Sequence, residues 1–340
     1  MLGKSKQELP PMDYHHHFRF QIRVSQAMLW IGLALAIIGP AMSPFFYAVH
    51  GSTMLAALTL FYMGIMYSQH PGFTNFMPSK QASILIASLL MLWGALLMAS
   101  NWTWRPLTVL WASIYAIMFA KQGLGGKPLY FPNWFTLAGL LSDVGAAVLG
   151  FQWGLIGFPI ASAMGLVRRV SNRMKPTPLD ALLLPLYPIV ASLLWLEADR
   201  AAFIAIIIAL MGLPIVNANE GLAVALPMGL IVGLTVGLPS AIATILMGLP
   251  SIYYFHAMAI GFLAPIMLSL CVPMLAPGIL WIWPKGYSSW IPAAVGAAAV
   301  LRILSYYYGE DALIGALLLL YIAVIGAAQH YIRGRRVKVL

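Results

Sequence analysis

Two histidines, His50 and His256, stand at matched places in a short pattern that the chain writes twice. The first copy holds Pro44, Tyr47, His50 and Pro71-Gly72; the second holds Pro250, Tyr253, His256 and Pro277-Gly278, each pair offset by 206 positions. Histidine is scarce, seven in 340 residues, and none lies between His70 and His256. Neutral imidazole is the commonest metal-ligand side chain, and a polar group inside apolar sequence calls for a partner. One histidine from each of two apolar segments is what a metal ion, or a haem bridged between two helices, requires. A haem suits such a place: its porphyrin supplies most of the buried apolar area, and its iron takes one imidazole on each face. Tyr47 and Tyr253, three residues before each histidine, are expected to donate hydrogen bonds around the ligands. Gly51, Met54, Met258 and Gly261 are expected to let a flat ring approach. A single histidine would more often cap its helix or sit at the membrane interface; the repetition shifts the balance towards ligation.

Other polar residues are weighed against this pair. Arg302 falls inside an apolar segment, towards its outer end, where it needs a carboxylate or water. Haem propionates would supply the carboxylate; snorkelling outward, or pairing with Glu310 or Asp311, are the alternatives. Arg105 is a second arginine expected at the outer face. Asp143 lies in the interior of another apolar segment, as a structural pair or part of a proton path. Glu220, with Asn217 and Asn219, reads as a solvated loop. His15, His16, His17, His70 and His330 read as interfacial or solvated. The chain has no paired catalytic carboxylates, nucleophile elbow, phosphate-binding glycine loop or zinc spacing. Its one cysteine, Cys271, excludes an internal disulfide and a multi-cysteine metal site.

The elements that must carry these residues are membrane helices. Hydrophobic residues make up 61% of the chain and charged residues 8%, with a mean hydropathy of +0.88. No soluble domain of this size leaves so little polar surface. With about 20 apolar residues needed per crossing, we read twelve stretches: 24–47, 50–69, 82–100, 106–121, 132–150, 152–167, 178–196, 200–218, 222–247, 254–274, 289–306 and 311–330. The sixth is short, and the ninth is interrupted by Pro227 and Pro239. With the N-terminus inside, sixteen of the nineteen Lys and Arg fall on the inner side. Arg105 and Arg200 fall outside, and Arg302 within a helix. That is a strong positive-inside bias, and it predicts an even number of spans in the plasma membrane with both termini cytoplasmic. The net charge of +10 is this bias; with no soluble basic domain to carry it, nucleic acid is not an expected partner. Trp102, Trp104, Trp153, Trp281, Trp283 and Trp290 fall near span ends, as an aromatic belt predicts.

The 206-residue offset extends past the motif, since 82–100 maps onto 288–306 and 106–120 onto 312–326. The organisation we expect is all-α: a polar, retained tail at 1–23, a four-helix repeat at 24–121, a middle four-helix block at 122–218, a third repeat at 219–330 and a basic tail at 331–340. Blocks of four helices share one orientation, so the repeats are parallel. Both histidines then open a helix just after an outer turn, at the same depth.

The segment His50-Gly51-Ser52-Thr53-Met54, with Gly72-Phe73-Thr74-Asn75-Phe76-Met77-Pro78 one span later, resembles the second helix of the catalytic subunit of haem–copper oxidases. Tyr254-Phe255-His256 resembles that family's tenth helix, which carries an HFH motif. The same two segments, with Ala297 to Leu304, are similar to the NnrS family, haem-containing membrane proteins tied to nitric oxide tolerance. The oxidase resemblance implies twelve spans in three arcs of four and a low-spin haem held by helices two and ten, which places His50 and His256 as its ligands. The departures matter as much. The first histidine of HFH, which binds the high-spin haem, is Tyr254 here. No histidine lies between 71 and 255 to hold copper, and of the paired arginines beyond helix eleven only Arg302 remains nearby. The expectation is therefore one haem b without an oxygen-reducing centre. The chain would carry electrons between a quinol and a redox partner subunit on the outer face, in a respiratory assembly and not as a terminal oxidase by itself. Two nitrogen ligands fill both axial positions, which favours electron transfer over gas chemistry. An NnrS-like role in nitrosative stress and a haem-free transporter with parallel repeats are the alternatives.

Overall fold

Apolar residues run around every face of the long segments, and a backbone in lipid can satisfy its own polar groups only as a helix or a closed barrel. The computed structural model, which describes residues 18–42, 45–67, 78–120, 131–170, 176–194, 225–269 and 281–336, is helical accordingly. In chain order the helices are α1 (Arg19–Met42), α2 (Tyr47–Tyr67), α3 (Lys80–Met98), α4 (Trp104–Phe119) and α5 (Asn133–Leu149). A 3₁₀ turn, Gln152–Ile156, leads into α6 (Gly157–Val170), followed by α7 (Pro178–Leu194). Helix α8 consists of Ala225–Val232, a π-wound Gly233–Gly237 and Leu238–Leu246; α9 runs Ser251–Ser269 and turns π-helical over Ala257–Leu263. The last helices are α10 (Trp290–Tyr308) and α11 (Glu310–Ile332). Two-residue strands, β1 (Ile282–Trp283) and β2 (Arg335–Arg336), pair antiparallel and are the small departure from an all-α chain.

Among the described residues, six helices are long and apolar enough to cross a membrane: α1, α3, Met228–Leu246 of α8, α9, α10 and α11. Shorter apolar stretches fill α2, α5 and α7. Each expected stretch overlaps a helix except 200–218, which lies outside the described residues, as do the tail at 1–17, His70, Cys271, Arg200 and Glu220. Pro239 does not end α8: the π segment just before it takes up the turn whose i→i−4 hydrogen bond proline cannot make. The outward faces are apolar, with Ile117 67% and Leu246 81% exposed, which fits lipid and not water.

Close approach of backbones sets the packing. A Cβ on Gly32 of α1 would lie 2.8 Å from the Phe61 amide nitrogen of α2, and one on Gly64 of α2 would lie 2.9 Å from that of Leu29. The two helices therefore touch backbone to backbone, as small residues permit in membranes. Gly237 of α8 and Gly261 of α9 meet in the same way, π segment against π segment. Helix α10 packs on α9 and α11, and α5 packs against α4, α6 and α7. Trp93, Trp111 and Phe158 join edge to face across α3, α4 and α6, and the Trp93 indole N–H donates to Thr108 Oγ1 at 2.7 Å.

Residues assigned to one side by their charge pattern also touch one another. At the expected inner end Arg23 lies over the Trp281 ring, Gln21 donates to the Pro78 carbonyl, Lys285 N–H donates to the His330 carbonyl, and Arg168 pairs with buried Asp180. At the expected outer end Arg105 donates to the Ala147 and Val148 carbonyls.

Candidate functional site

His50 lies in the first turn of α2, and the turn before it folds α2 back along α1. That places the imidazole beside Gly39, eleven residues earlier, whose carbonyl oxygen is 2.8 Å from His50 Nδ1. A carbonyl has no proton to give, so Nδ1 carries the hydrogen and a neutral ring keeps its lone pair on Nε2. His256 reaches the same state by a different route. It closes the α-helical first part of α9, directly before the π segment, and its Nδ1 donates to the Ile252 carbonyl one turn back at 2.7 Å. Among the described residues neither Nε2 has a partner. His330 supplies the contrast: its Nδ1 donates to the Lys285 carbonyl and its Nε2 meets Ser288 Oγ at 3.3 Å, so both nitrogens are occupied.

The two rings lie near one another across the α2–α9 gap. Their centroids are 6.0 Å apart and their planes differ by 8°. Two metal–imidazole bonds of about 2.0–2.1 Å, each carried back roughly 1.2 Å to its ring centre, put the centroids of a linear pair about 6.4 Å apart. The observed separation is close to that, and both residues are half-buried.

Neighbouring residues fix the gap. Trp153, in the 3₁₀ turn of the middle block, packs its indole on Gly51, next to His50. The same indole lies 5.2 Å from the ring of Phe255, next to His256. Met54, one turn beyond His50, places its sulfur against Gly39, where a Cβ would come within 2.6 Å of it, so it fills the notch behind the anchoring carbonyl. Gly261 serves the α8–α9 crossing and Met258 is fully buried, so the room expected from these two is used by helix packing. Tyr47 opens α2; its side chain lies outside the described residues.

Arg302 of α10 lies within electrostatic range of His256. Its guanidinium sits 4.6 Å over the Tyr253 ring, and its Nη1 donates to Ser305 Oγ at 2.8 Å. No carboxylate pairs with it among the described residues, Glu310 and Asp311 included. Tyr253 therefore serves as a platform for the arginine, and Tyr306 meets it edge to face at 5.5 Å. Arg105 has a different role, satisfying carbonyls at the end of α5 beside Gly150, whose φ of +79° ends that helix. Asp143 belongs to a separate cluster.

Gly39, Ile252, Trp153 and Phe255 were missed from sequence. Two act through backbone carbonyls, which carry no residue signal. Trp153 comes from a segment without the repeat, and only its place near a span end marked it. Among the described residues no group of three or more His, Cys, Asp or Glu is gathered. No family model, curated protein or solved structure matches the chain.

Proposed function

We propose that the chain is a membrane b-type cytochrome whose single haem is held by His50 and His256 near the outer face, and that it carries electrons between a quinol and an outer redox partner. The observation that supports this reading is the histidine pair itself. Two imidazoles are each anchored through Nδ1 to a carbonyl, with Nε2 atoms that have no partner among the described residues and near-parallel planes at a spacing suited to one shared metal. Anchoring Nδ1 fixes the ring and raises the basicity of Nε2. Arg302 lies where it would bind a carboxylate of the cofactor, and Trp153 holds the two ligand helices at their spacing. Bound haem, held by His50 and His256, would supply a one-electron centre.

The same reading takes the twelve-span, three-block organisation as its frame. Trp104 and Glu310 open helices 206 positions apart, and α1–α2 is paired by glycines as α8–α9 is. Helix α7 ends near Ser142 and Gly145, towards the outer end, while α8 begins near Ser269, towards the inner end. We take 200–218 as the crossing between them. The plasma membrane, with both termini cytoplasmic, is the location this arrangement fits. A haem-free transporter is the second reading, favoured by the paired π interruptions of α8 and α9, since broken helices mark transport sites.

A reduced-minus-oxidised spectrum of the purified protein tests the proposal, with His50→Ala and His256→Ala beside the wild type. Narrow haem bands that carbon monoxide leaves unchanged, and that both variants lose, are the expected result. A colourless wild type after haem supplementation would sink it and leave the transporter. A spectral shift on adding nitric oxide would move the assignment to an NnrS-like role.

A further inference from the structure

Asp143 lies within α5, fully buried. Facing it, α6 begins at Gly157, and the Phe158 N–H, one of the first-turn amides that a helix cannot satisfy itself, donates to Asp143 Oδ1 at 3.1 Å. The other oxygen, Oδ2, has no partner among the described residues, and neither has the hydroxyl of adjacent Ser142. Both residues border Gly157: a Cβ there would run into Ser142 Oγ and lie 3.8 Å from Asp143 Oδ1. Tyr187 of α7 closes the cluster by donating to the Gly157 carbonyl at 2.8 Å, and Ser192 Oγ donates to the Pro188 carbonyl at 2.6 Å.

Among the described side chains, the charged and titratable groups on the helices packed against α5 are Arg105 and Tyr115 of α4, Arg168 of α6, and Asp180 and Tyr187 of α7; the side chain of Arg169 of α6 lies outside the described residues. Arg168 is taken by Asp180 and Arg105 by the carbonyls of Ala147 and Val148. Tyr187 lies within electrostatic range of Asp143 and brings no positive charge. An ionised carboxylate here would hold its charge on one amide hydrogen bond in an apolar interior, which is costly. A neutral acid carries no charge to bury and keeps the Phe158 N–H on its Oδ1.

We infer that Asp143 is a proton-binding site in the membrane interior, built by α5, α6 and α7 and independent of the histidine pair. Its ligand is a single proton, carried on the carboxyl, whose Oδ1 accepts from the Phe158 N–H. Infrared spectra of the full-length protein, unlabelled and with aspartate carboxyls labelled with carbon-13, test this at neutral pH. The expected result is a C=O band of a protonated carboxylic acid that shifts on labelling and in D₂O, and that is lost in Asp143→Asn. If labelled wild-type protein shows only ionised aspartate at neutral pH, the inference is overturned whatever the variant does. A labelled acid band that persists in a folded Asp143→Asn overturns it equally. Because neither spectrum depends on haem, failure here and failure of the cytochrome reading are separable.

Discussion

A histidine ligand is only as good as the bond that holds its other nitrogen. His50 depends on the Gly39 carbonyl and His256 on its own helix, so the two should respond differently to changes around them. Arg302 lies within electrostatic range of His256. If the pair holds a redox centre, a positive charge beside it favours the reduced form. Arg302→Met should then lower the midpoint potential by on the order of tens of millivolts while leaving the bis-histidine spectrum in place. An unchanged potential would show that the arginine is screened from the centre. The pair itself was legible in the sequence, because rarity and repetition survive without any structure. Its anchors were not: Gly39 acts through a carbonyl that every residue type possesses, and it comes from the preceding helix. The role of Tyr253 was legible only in part. Its spacing placed it beside the site, but its ring supports Arg302.

At the scale of helices, the histidine geometry depends on how closely backbones approach. The α1–α2 crossing at Gly32 and Gly64 brings Gly39 to His50, and the meeting of Gly237 with Gly261 holds α9 against α8. Gly32→Leu should therefore destabilise the protein by about 1–3 kcal/mol or more, since the added side chain meets backbone that cannot give way. Gly315→Leu is the control: a Cβ there meets only the tip of Leu301, at 3.3 Å. Thermal unfolding followed by size-exclusion chromatography in detergent distinguishes them, and equal midpoints would show that the crossing is not needed. Trp153→Ala should widen the gap between α2 and α9. The expected cost is about 3 kcal/mol or less, because the indole is only half-buried and loses part of a full core truncation. Weakened or broadened haem bands in a still-folded variant are the signature that separates positioning from stability. The positions of the helices were readable from apolar length. Their winding was not, because a π turn is set by neighbouring helices and by where proline withholds an amide, as before Pro239.

Across the whole molecule, two independent lines assign the same residues to the same end. One is the distribution of Lys and Arg in the sequence; the other is contact, such as Arg23 with Trp281 and β1 with β2. Their agreement makes topology the most exposed commitment of the twelve-span reading, and the stretch 200–218 its weakest part. Asn101, in the turn between α3 and α4, and Ser289, at the start of α10, are both exposed. With Cys271 first replaced by serine, a cysteine at each can be probed in intact cells with a membrane-impermeant maleimide. Seven crossings lie between the two positions if 200–218 spans the membrane and six if it does not, given the helices and stretches named above. Asn101→Cys should react from outside, and Ser289→Cys only after the cells are opened. Reaction of both from one side removes 200–218 as a span and with it the four-helix middle block. Reaction of Ser289→Cys alone from outside inverts the molecule and moves the histidine pair to the cytoplasmic face, where an outer redox partner could not meet it.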